Sequence, residues 1–330
     1  MFTPERRVIK KHDRSSIRVT VEYVQELVRS LPNRDFEILH WLFKRPFMTG
    51  EQIEMLVFGD LKPSSRREKA NQRIRKLYHS HCIDRWFPPV AEGAGSSKQH
   101  LVLDRAGLLA LALKRGIDPS DDRIKKWRKR NHIPQNYQHT LKIQDFYGLL
   151  HLFSRQLECG EIIRWEWEDK AKIKFAMRED GRNRNVEIKP DAFCIYKYNT
   201  QGGFKMFYLE ADNATEDMDV LETKIRRYKA MYESGEWRDR QWARATQGRM
   251  FPAVLFLFHD LGQAKELHKF AKRQNTPVRF LFTAYDQLIR QEVKEYHSRG
   301  GKTMKVPQEQ HIRLFEPIFL SSKEEGEVPL

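Results

Sequence analysis

Cysteine and long apolar runs are scarce in this chain. Its three cysteines, Cys82, Cys159 and Cys194, lie far apart among 330 residues. Their odd number and spacing exclude a disulfide framework and a Cys-x-x-Cys metal knuckle, so we expect small buried side chains in a reducing compartment. Apolar runs such as 253–258 have the length of a strand and cannot span a membrane. The charged first residues predict no signal peptide and a cytoplasmic protein.

Acidic residues are outnumbered by basic ones. The chain carries 60 Lys and Arg against 45 Asp and Glu, a formal charge of +15 with a pI near 9.6. Such an excess favours a polyanionic partner, with nucleic acid ahead of an anionic membrane surface. Nothing else in the sequence supports a membrane. Composition therefore predicts DNA as the partner and leaves the oligomeric state open.

The first half of the chain has the pattern of a small helical domain. A basic N-terminal arm (1–30) comes first. The capping residues and prolines that follow predict a helix that Asn33 caps and Pro46 ends, a second helix capped by Thr49, and a third that begins at Pro63. Two short strands around a Gly-rich tip and a further helix follow. This order resembles a winged helix-turn-helix, so we predict such a DNA-binding domain over residues 31–118.

The third helix supplies most of the predicted DNA contacts. Arg, Asn and Gln read base edges, and Lys and Arg contact phosphates. On this helix the candidates are Arg66, Arg67, Lys69, Asn71, Gln72, Arg73 and Lys76. Further candidates are Lys98 at the wing tip and Lys125, Lys126, Arg128 and Arg130 in a basic linker at 119–136. A basic helix can also be a merely solvated face, but the order of elements favours DNA binding.

The second half alternates helices and strands. Its periodicity predicts a helix at 137–158, strands at 162–168, 186–198 and 204–212, and then the order helix, strand, helix, strand up to residue 282. The fold class is therefore α/β (α+β overall), with a second domain over 137–290. The extension at 291–330 is polar towards its end, where we expect disorder.

Two carboxylates stand at or near strand ends in the predicted hairpin. Asp191 closes a Lys-Pro-Asp run, and Glu210 lies in Tyr-Leu-Glu-Ala-Asp. A hairpin places such side chains at one edge of a sheet, where clustered carboxylates persist mainly around a cation. The pattern predicts a Mg²⁺ or Mn²⁺ site held by Asp191, Glu210 and Asp212, with Glu166 or Glu168 as a further ligand.

The element order resembles the restriction-endonuclease-like fold, whose signature is PD-(D/E)XK. Pro190-Asp191 matches the first part of that signature. Glu210-Ala-Asp212 matches the second only in part, because Asp212 occupies the place of the expected lysine. The resemblance implies a lysine that has moved to the following helix, with Lys224 as the natural candidate and Lys205 as a weaker one. The implied catalytic set is Asp191, Glu210, Asp212 and Lys224.

A wider pattern resembles the replication-relaxation family of plasmids and other mobile elements. It comprises the Lys-Pro-Asp191 run, Glu-x-Asp-x-x-Thr-Glu ending at Glu216, and Lys224-x-x-x-Tyr228, within roughly residues 33–285. The resemblance implies a DNA-binding protein that acts in replication, DNA relaxation or nicking, or conjugative transfer. Other replication or transfer proteins of the plasmid are possible partners.

Three hypotheses for the activity stay open at this point. The first is a metal-dependent DNA nickase. The second is a catalytically inactive nuclease-like fold that binds a replication origin. The third is a tyrosine-type relaxase with Tyr228 as nucleophile, although the spacing of Tyr228 from Lys224 is also typical of a packing pair on a helix. His139 is more readily explained as a histidine at the start of a helix than as a catalytic base.

Overall fold

The structure, a computed structural model, describes much of the chain in two compact units, Met1–Tyr137 and Gln138–Leu330. The described residues are 16–88, 99–118, 120–122, 124, 137–157, 160–179, 182–198, 203–212, 216–245, 250–297, 303–314 and 318–330. Nine α-helices and a large mixed sheet within these residues confirm the α/β class. No helix in these ranges is long and apolar enough to cross a membrane.

Within its described residues, the first unit combines several helices with a small antiparallel sheet. Its elements are α1 (Val21–Ser30), α2 (Asn33–Lys44), β1 (Met48–Thr49), α3 (Gly50–Val57), α4 (Pro63–His79), β2 (Ile83–Trp86), β3 (His100–Leu103) and α5 (Arg105–Lys114). The strand order is β1-β3-β2. Helix α1 lies inside the predicted N-terminal arm. Residues 89–98 of the predicted wing tip, and residues 119, 123 and 125–136 of the predicted basic linker at 119–136, lie outside the described residues.

Local side chains explain where these helices begin. Thr49 and Gln52 form a capping box at α3, each side chain bonding the other's backbone N–H. Pro63 is the first residue of α4, where its missing N–H costs nothing. The prediction that Asn33 caps α2 is wrong. Pro32 is the capping residue there, and its carbonyl accepts the Asp35 N–H at 3.0 Å.

A buried ion pair joins α2 to α4. Asp35 has an exposed fraction of 0%, and Arg73 Nε donates to its Oδ1 at 2.7 Å, with a second contact from Arg73 Nη2 to Oδ2. Arg66 is also buried, at 6% exposed, on the stripe that it shares with Ala70 and Ile74. Both arginines were expected to face DNA. The structure corrects that expectation, because packing buries Arg66 and the Asp35 carboxylate holds the half-buried Arg73.

The second unit holds a long helix, a large sheet and two separate hairpins. Its elements are α6 (Tyr137–Leu157), β4 (Gly160–Trp167), β5 (Ile173–Glu179), β6 (Arg182–Ile188), β7 (Ala192–Tyr198), β8 (Phe204–Ala211), α7 (Met218–Ser234), α8 (Gln241–Ala245), β9 (Ala253–Phe258), α9 (Leu261–Arg273), β10 (Phe280–Ala284), β11 (Ile289–His297), β12 (Thr303–Ile312), β13 (Phe319–Ser321) and β14 (Glu327–Val328). Tyr137, the first residue of α6, belongs to the first unit.

The seven-stranded sheet has the order β14-β13-β10-β9-β8-β7-β4. Strands β8, β9 and β10 are parallel, and the remaining pairs are antiparallel. The all-apolar β9 lies at its centre, as burial on both faces requires. Because β7 and β8 are antiparallel with Ala192 opposite Leu209, the start of β7 meets the end of β8. This register brings Asp191 to Glu210.

Two predictions about strands were wrong. The predicted strand at 186–198 is two strands, because Pro190 interrupts it, and β6 pairs with β5 in a hairpin of its own. The end of the chain, for which disorder was expected, forms β13 and β14 at one side of the main sheet. Apolar burial explains this order, since Ile318 and Phe319 are 2% and 0% exposed.

We expect Arg73→Met to lower the free energy of unfolding by about 3 to 5 kcal/mol, because it leaves the charge of Asp35 buried without a partner. Urea denaturation measures this change. The matched control is Arg67→Met on the exposed side of the same helix, which should change stability by less than about 0.5 kcal/mol. Equal stability of the two variants would show that the ion pair contributes nothing.

Candidate functional site

Asp191 precedes β7 and is held at both carboxylate oxygens. His139 Nε2, from the first turn of α6, lies 2.7 Å from Oδ1, and the Ala211 N–H donates to Oδ2 at 2.7 Å. The Asp191 N–H donates to the Leu209 carbonyl at 2.9 Å, which extends the β7–β8 ladder to this residue. The side chain is 15% exposed. Asp191 is therefore fixed at an accessible edge of the sheet.

Glu210 lies next to Asp191 and is almost fully buried, at 3% exposed. Lys224 Nζ is 3.0 Å from its Oε2, and the Tyr228 hydroxyl donates to its Oε1 at 2.6 Å. Burial raises the pKa of Glu210 to about 7, with Lys224 opposing that rise and the charge of Asp191 adding to it. A buried carboxylate of this kind is stabilised by any cation that reaches it.

Lys224, on the second turn of α7, joins two carboxylates. Its ammonium group lies 3.0 Å from Glu210 Oε2 and 2.8 Å from Glu216 Oε2. Burial lowers the pKa of Lys224, but Glu210 and Glu216 outweigh it and the net shift is upward. Lys224 thus stays charged and brings the Glu216 end of the motif to the site. Lys205, the weaker candidate, instead contacts the Leu330 carbonyl.

The sequence interpretation of His139 as a residue at the start of a helix did not predict its hydrogen bond to Asp191. Its hydrogen bond to Asp191 raises the pKa of His139 against the effect of burial, and the charges of Asp191 and Glu168 raise it further. No local pattern announces this contact, because residues 139 and 191 are joined only when α6 packs on the sheet. The general rule that buried carboxylates need donors was the one available signal.

Two further predicted ligands have hydrogen-bond partners of their own. Asp212 is 4% exposed, and its Oδ1 accepts the Glu216 N–H at 3.3 Å. Glu166 accepts from Arg164 Nε at 2.9 Å, two residues away along β4. Glu168, the other possibility on this strand, donates its backbone N–H to the Asp191 carbonyl at 3.0 Å. Asp191 and Glu210 are therefore the carboxylates that the fold brings side by side.

A second lysine, not predicted, faces the same end of β8. Lys142, one turn beyond His139 on α6, lies over the Tyr285 ring at 5.3 Å from Nζ to the ring centroid. Burial lowers the pKa of Lys142, whereas the charges of Asp212 and Asp145 oppose that shift. Positive charge therefore approaches the strand ends from both α6 and α7.

The donor chemistry at Asp191 and Glu210 is suited to a hard cation. In the described ranges no group of three or more His, Cys, Asp or Glu side chains is placed to hold a metal ion. Magnesium commonly needs only one or two carboxylates from the protein, because water and substrate phosphates complete its shell. Asp191 and Glu210 supply two such carboxylates side by side.

The solvent-facing side of α4 retains five of its seven predicted DNA contacts. Exposed side chains there are Arg67, Lys69, Asn71, Gln72 and Lys76, together with Arg75, which was not predicted. Arg66 and Arg73 face inward, as described above. Lys98, Lys125, Lys126, Arg128 and Arg130 lie outside the described residues.

Tyr228 is placed for packing rather than attack. Its side chain is 0% exposed, and its hydroxyl donates to Glu210. Burial raises the pKa of Tyr228 well above its usual value of 10, and Glu210 adds to that effect. Such a hydroxyl is hard to deprotonate and is closed to an incoming DNA strand.

Comparison with protein families identifies the chain's relatives. A model of the replication-relaxation family matches residues 39–243, more than half of the 330 residues. The chain therefore belongs to this family, which indicates a role in the replication or relaxation of a plasmid or mobile element. The match includes His139, Asp191, Glu210 and Lys224. No curated protein and no solved structure is significantly similar to the chain.

The raised pKa of Glu210 predicts a pH dependence of stability. The folded state holds this proton more tightly than an ordinary carboxyl of pKa 4.5, so the resulting stability is complete below pH 4.5 and is lost as the pH rises through about 7. We expect Glu210→Gln to remove this decline in urea denaturation series with EDTA. The control is Glu233→Gln, an exposed change on α7, the helix that supplies Lys224. A wild-type decline that persists in Glu210→Gln would assign it to another group.

Proposed function

We propose that this member of the replication-relaxation family binds plasmid or mobile-element DNA through its first unit and nicks DNA at the Asp191–Glu210 site with Mg²⁺ or Mn²⁺. One observation carries the nicking half of the proposal. Lys224 lies 3.0 Å from Glu210 although position 212, where the nuclease signature has its lysine, is an aspartate. The positive charge that the signature lacks at position 212 is thus supplied beside Glu210 by Lys224.

DNA binding is supported by the order of elements in the first unit. A helix, a short strand, two helices and a pair of strands follow one another from α2 to β3. That order is the one expected of a winged helix-turn-helix, in which the second helix of the pair enters the major groove. Here that helix is α4, whose exposed side carries the basic and amide side chains needed for the contacts.

The site residues divide the work of phosphodiester cleavage among them. Asp191 and Glu210 would hold the metal ion, which when bound supplies Lewis-acid activation of water and of the phosphate. Lys224 places a fixed positive charge where charge develops on the phosphate oxygens. His139 and the Ala211 N–H hold the Asp191 carboxylate in one orientation. Tyr228 does the same for Glu210.

A non-catalytic origin-binding factor is the second candidate. The contacts of the two carboxylates favour this candidate, because a protein donor already meets each oxygen of Asp191 and Glu210. A site neutralised in this way is stable without a metal ion. The tyrosine relaxase is the weakest of the three hypotheses, because Tyr228 is buried and bound to Glu210.

We expect the wild-type protein to convert supercoiled plasmid of its native element into open circles with Mg²⁺ or Mn²⁺, and not with EDTA. Asp191→Asn and Glu210→Gln should each abolish conversion, because they remove the charge that holds the cation. Tyr228→Phe is the matched control and should retain cutting without a covalent DNA adduct. Agarose electrophoresis with protease treatment distinguishes these products.

Either of two results would contradict nicking at this site. Conversion that survives in Glu210→Gln would assign it to a contaminant or to another site. Absence of conversion by the wild type under both metals, with DNA binding retained, would favour the non-catalytic factor. A covalent adduct lost in Tyr228→Phe would instead establish the tyrosine mechanism.

We expect Arg67→Ala and Lys69→Ala to weaken duplex binding and to make its salt dependence shallower, because each phosphate contact contributes a log–log slope of about −0.9. Fluorescence anisotropy over a salt series measures both effects. Glu68→Ala, an exposed change between these residues, is the matched control and should not weaken binding. If the affinity changes neither with salt nor in any of the three variants, α4 is not the helix that contacts DNA.

A further inference from the structure

A cluster of half-buried aromatic rings lies beside the candidate site. Tyr147 of α6 and Trp165 and Trp167 of β4 form this edge aromatic cluster, with ring centroids 4.9 to 5.6 Å apart. Trp165 and Trp167 alternate with Glu166 and so share the face of the sheet on which α6 packs. Strand β4 is the last in the sheet order. The rings therefore stand where the sheet ends.

A second aromatic cluster in the same unit shows what a purely structural role looks like. Trp237 and Trp242 are 2% and 7% exposed, stack at 6.1 Å and belong to the hydrophobic core. The Trp237 indole N–H donates to the Tyr232 carbonyl at 3.1 Å. By contrast, the Trp165 indole N–H is buried and has no acceptor among the described residues. An unpaired donor of this kind costs stability unless a ligand supplies the acceptor.

The edge aromatic cluster lies at the same end of the sheet as the carboxylate site. Trp167 pairs with Ala192, the residue after Asp191, across the β4–β7 ladder. The next residue, Glu168, donates its N–H to the Asp191 carbonyl at 3.0 Å. Lys170 follows in an exposed turn. A polymer that reaches Asp191 and continues past β4 therefore meets aromatic rings and a cation.

We propose that the edge aromatic cluster stacks the unpaired bases of single-stranded DNA that passes the Asp191–Glu210 site, an inference that rests on the proposed DNA-directed function. Base faces are covered in a duplex and available in a single strand, and aromatic platforms on basic proteins bind them without sequence preference. The formal charge of +15 suits a polyanion rather than another apolar surface. The substrate at this site is thus opened DNA, whereas α4 binds the duplex.

The test compares one labelled thymidine oligonucleotide with a duplex of the same length by fluorescence anisotropy, with EDTA present so that cutting cannot interfere. We expect Tyr147→Leu and Trp167→Leu each to weaken single-strand binding by roughly 5- to 150-fold, the loss of one stacked base, and to leave duplex binding unchanged. Trp167→Phe should keep most of the affinity. Phe204→Leu, at an exposed aromatic on the opposite end of β8, is the matched control.

The outcomes separate this inference from the proposed function. Unchanged single-strand affinity in both leucine variants, or equal losses on single strand and duplex, would overturn the stacking surface. A wild-type protein that binds duplex but not single strand would also overturn it and would leave the proposed function standing. A wild-type protein that binds neither would reject DNA binding itself. Since loss of a tryptophan can unfold a protein, Tyr147→Leu and Trp167→Phe, with matched melting temperatures, decide the case if Trp167→Leu does not fold.

Discussion

The buried contact between Glu210 and Lys224 is the constraint on which the site depends. A carboxylate 3% exposed at the end of a central strand is unfavourable unless a cation meets it. Lys224 provides that cation from the helix that follows β8, and it holds Glu216 at the same time. The packing of α7 on the sheet is thereby tied to the placement of the carboxylates. A change that loosens α7 should disturb the site before it disturbs the sheet.

Under the proposed function, this dependence would let a displaced lysine preserve the charge pattern of the nuclease signature. In the nuclease signature the lysine follows the acidic residue by two positions on one strand, whereas here it comes from a helix fourteen residues further along the sequence, by the difference between positions 210 and 224. Helix α7 returns over the face of the sheet that carries Glu210, so sequence distance does not matter. Asp212 occupies the position of the signature's lysine, and its carboxylate accepts the Glu216 N–H at 3.3 Å.

Much of this could be predicted from sequence, and the failures share a physical cause. Helices with clear periodicity and the apolar β9 are local features, and so is the hairpin logic that brings Asp191 to Glu210. The His139–Asp191 contact and the Asp35–Arg73 pair join residues far apart in the chain, so no local pattern contains them. Arg66 and Arg73 looked like DNA contacts because composition gives a helix's charge and not which side of it is buried. Pro190 was the one visible signal that a single strand at 186–198 could not be continuous.

Under the two proposals, the two units would divide the binding of DNA by its physical state. A helix with an exposed basic side suits the phosphates and grooves of a duplex, whereas half-buried indoles suit bases that have already been separated. Replication and relaxation both pass through such separated strands, so a site that holds one strand beside Asp191 and Glu210 would act only after the duplex opens. Charge alone would not favour the single strand, because a duplex has the higher charge density. Under the proposal, the aromatic rings on β4, at the same end of the sheet as the carboxylates, would give the second unit its preference for the opened strand.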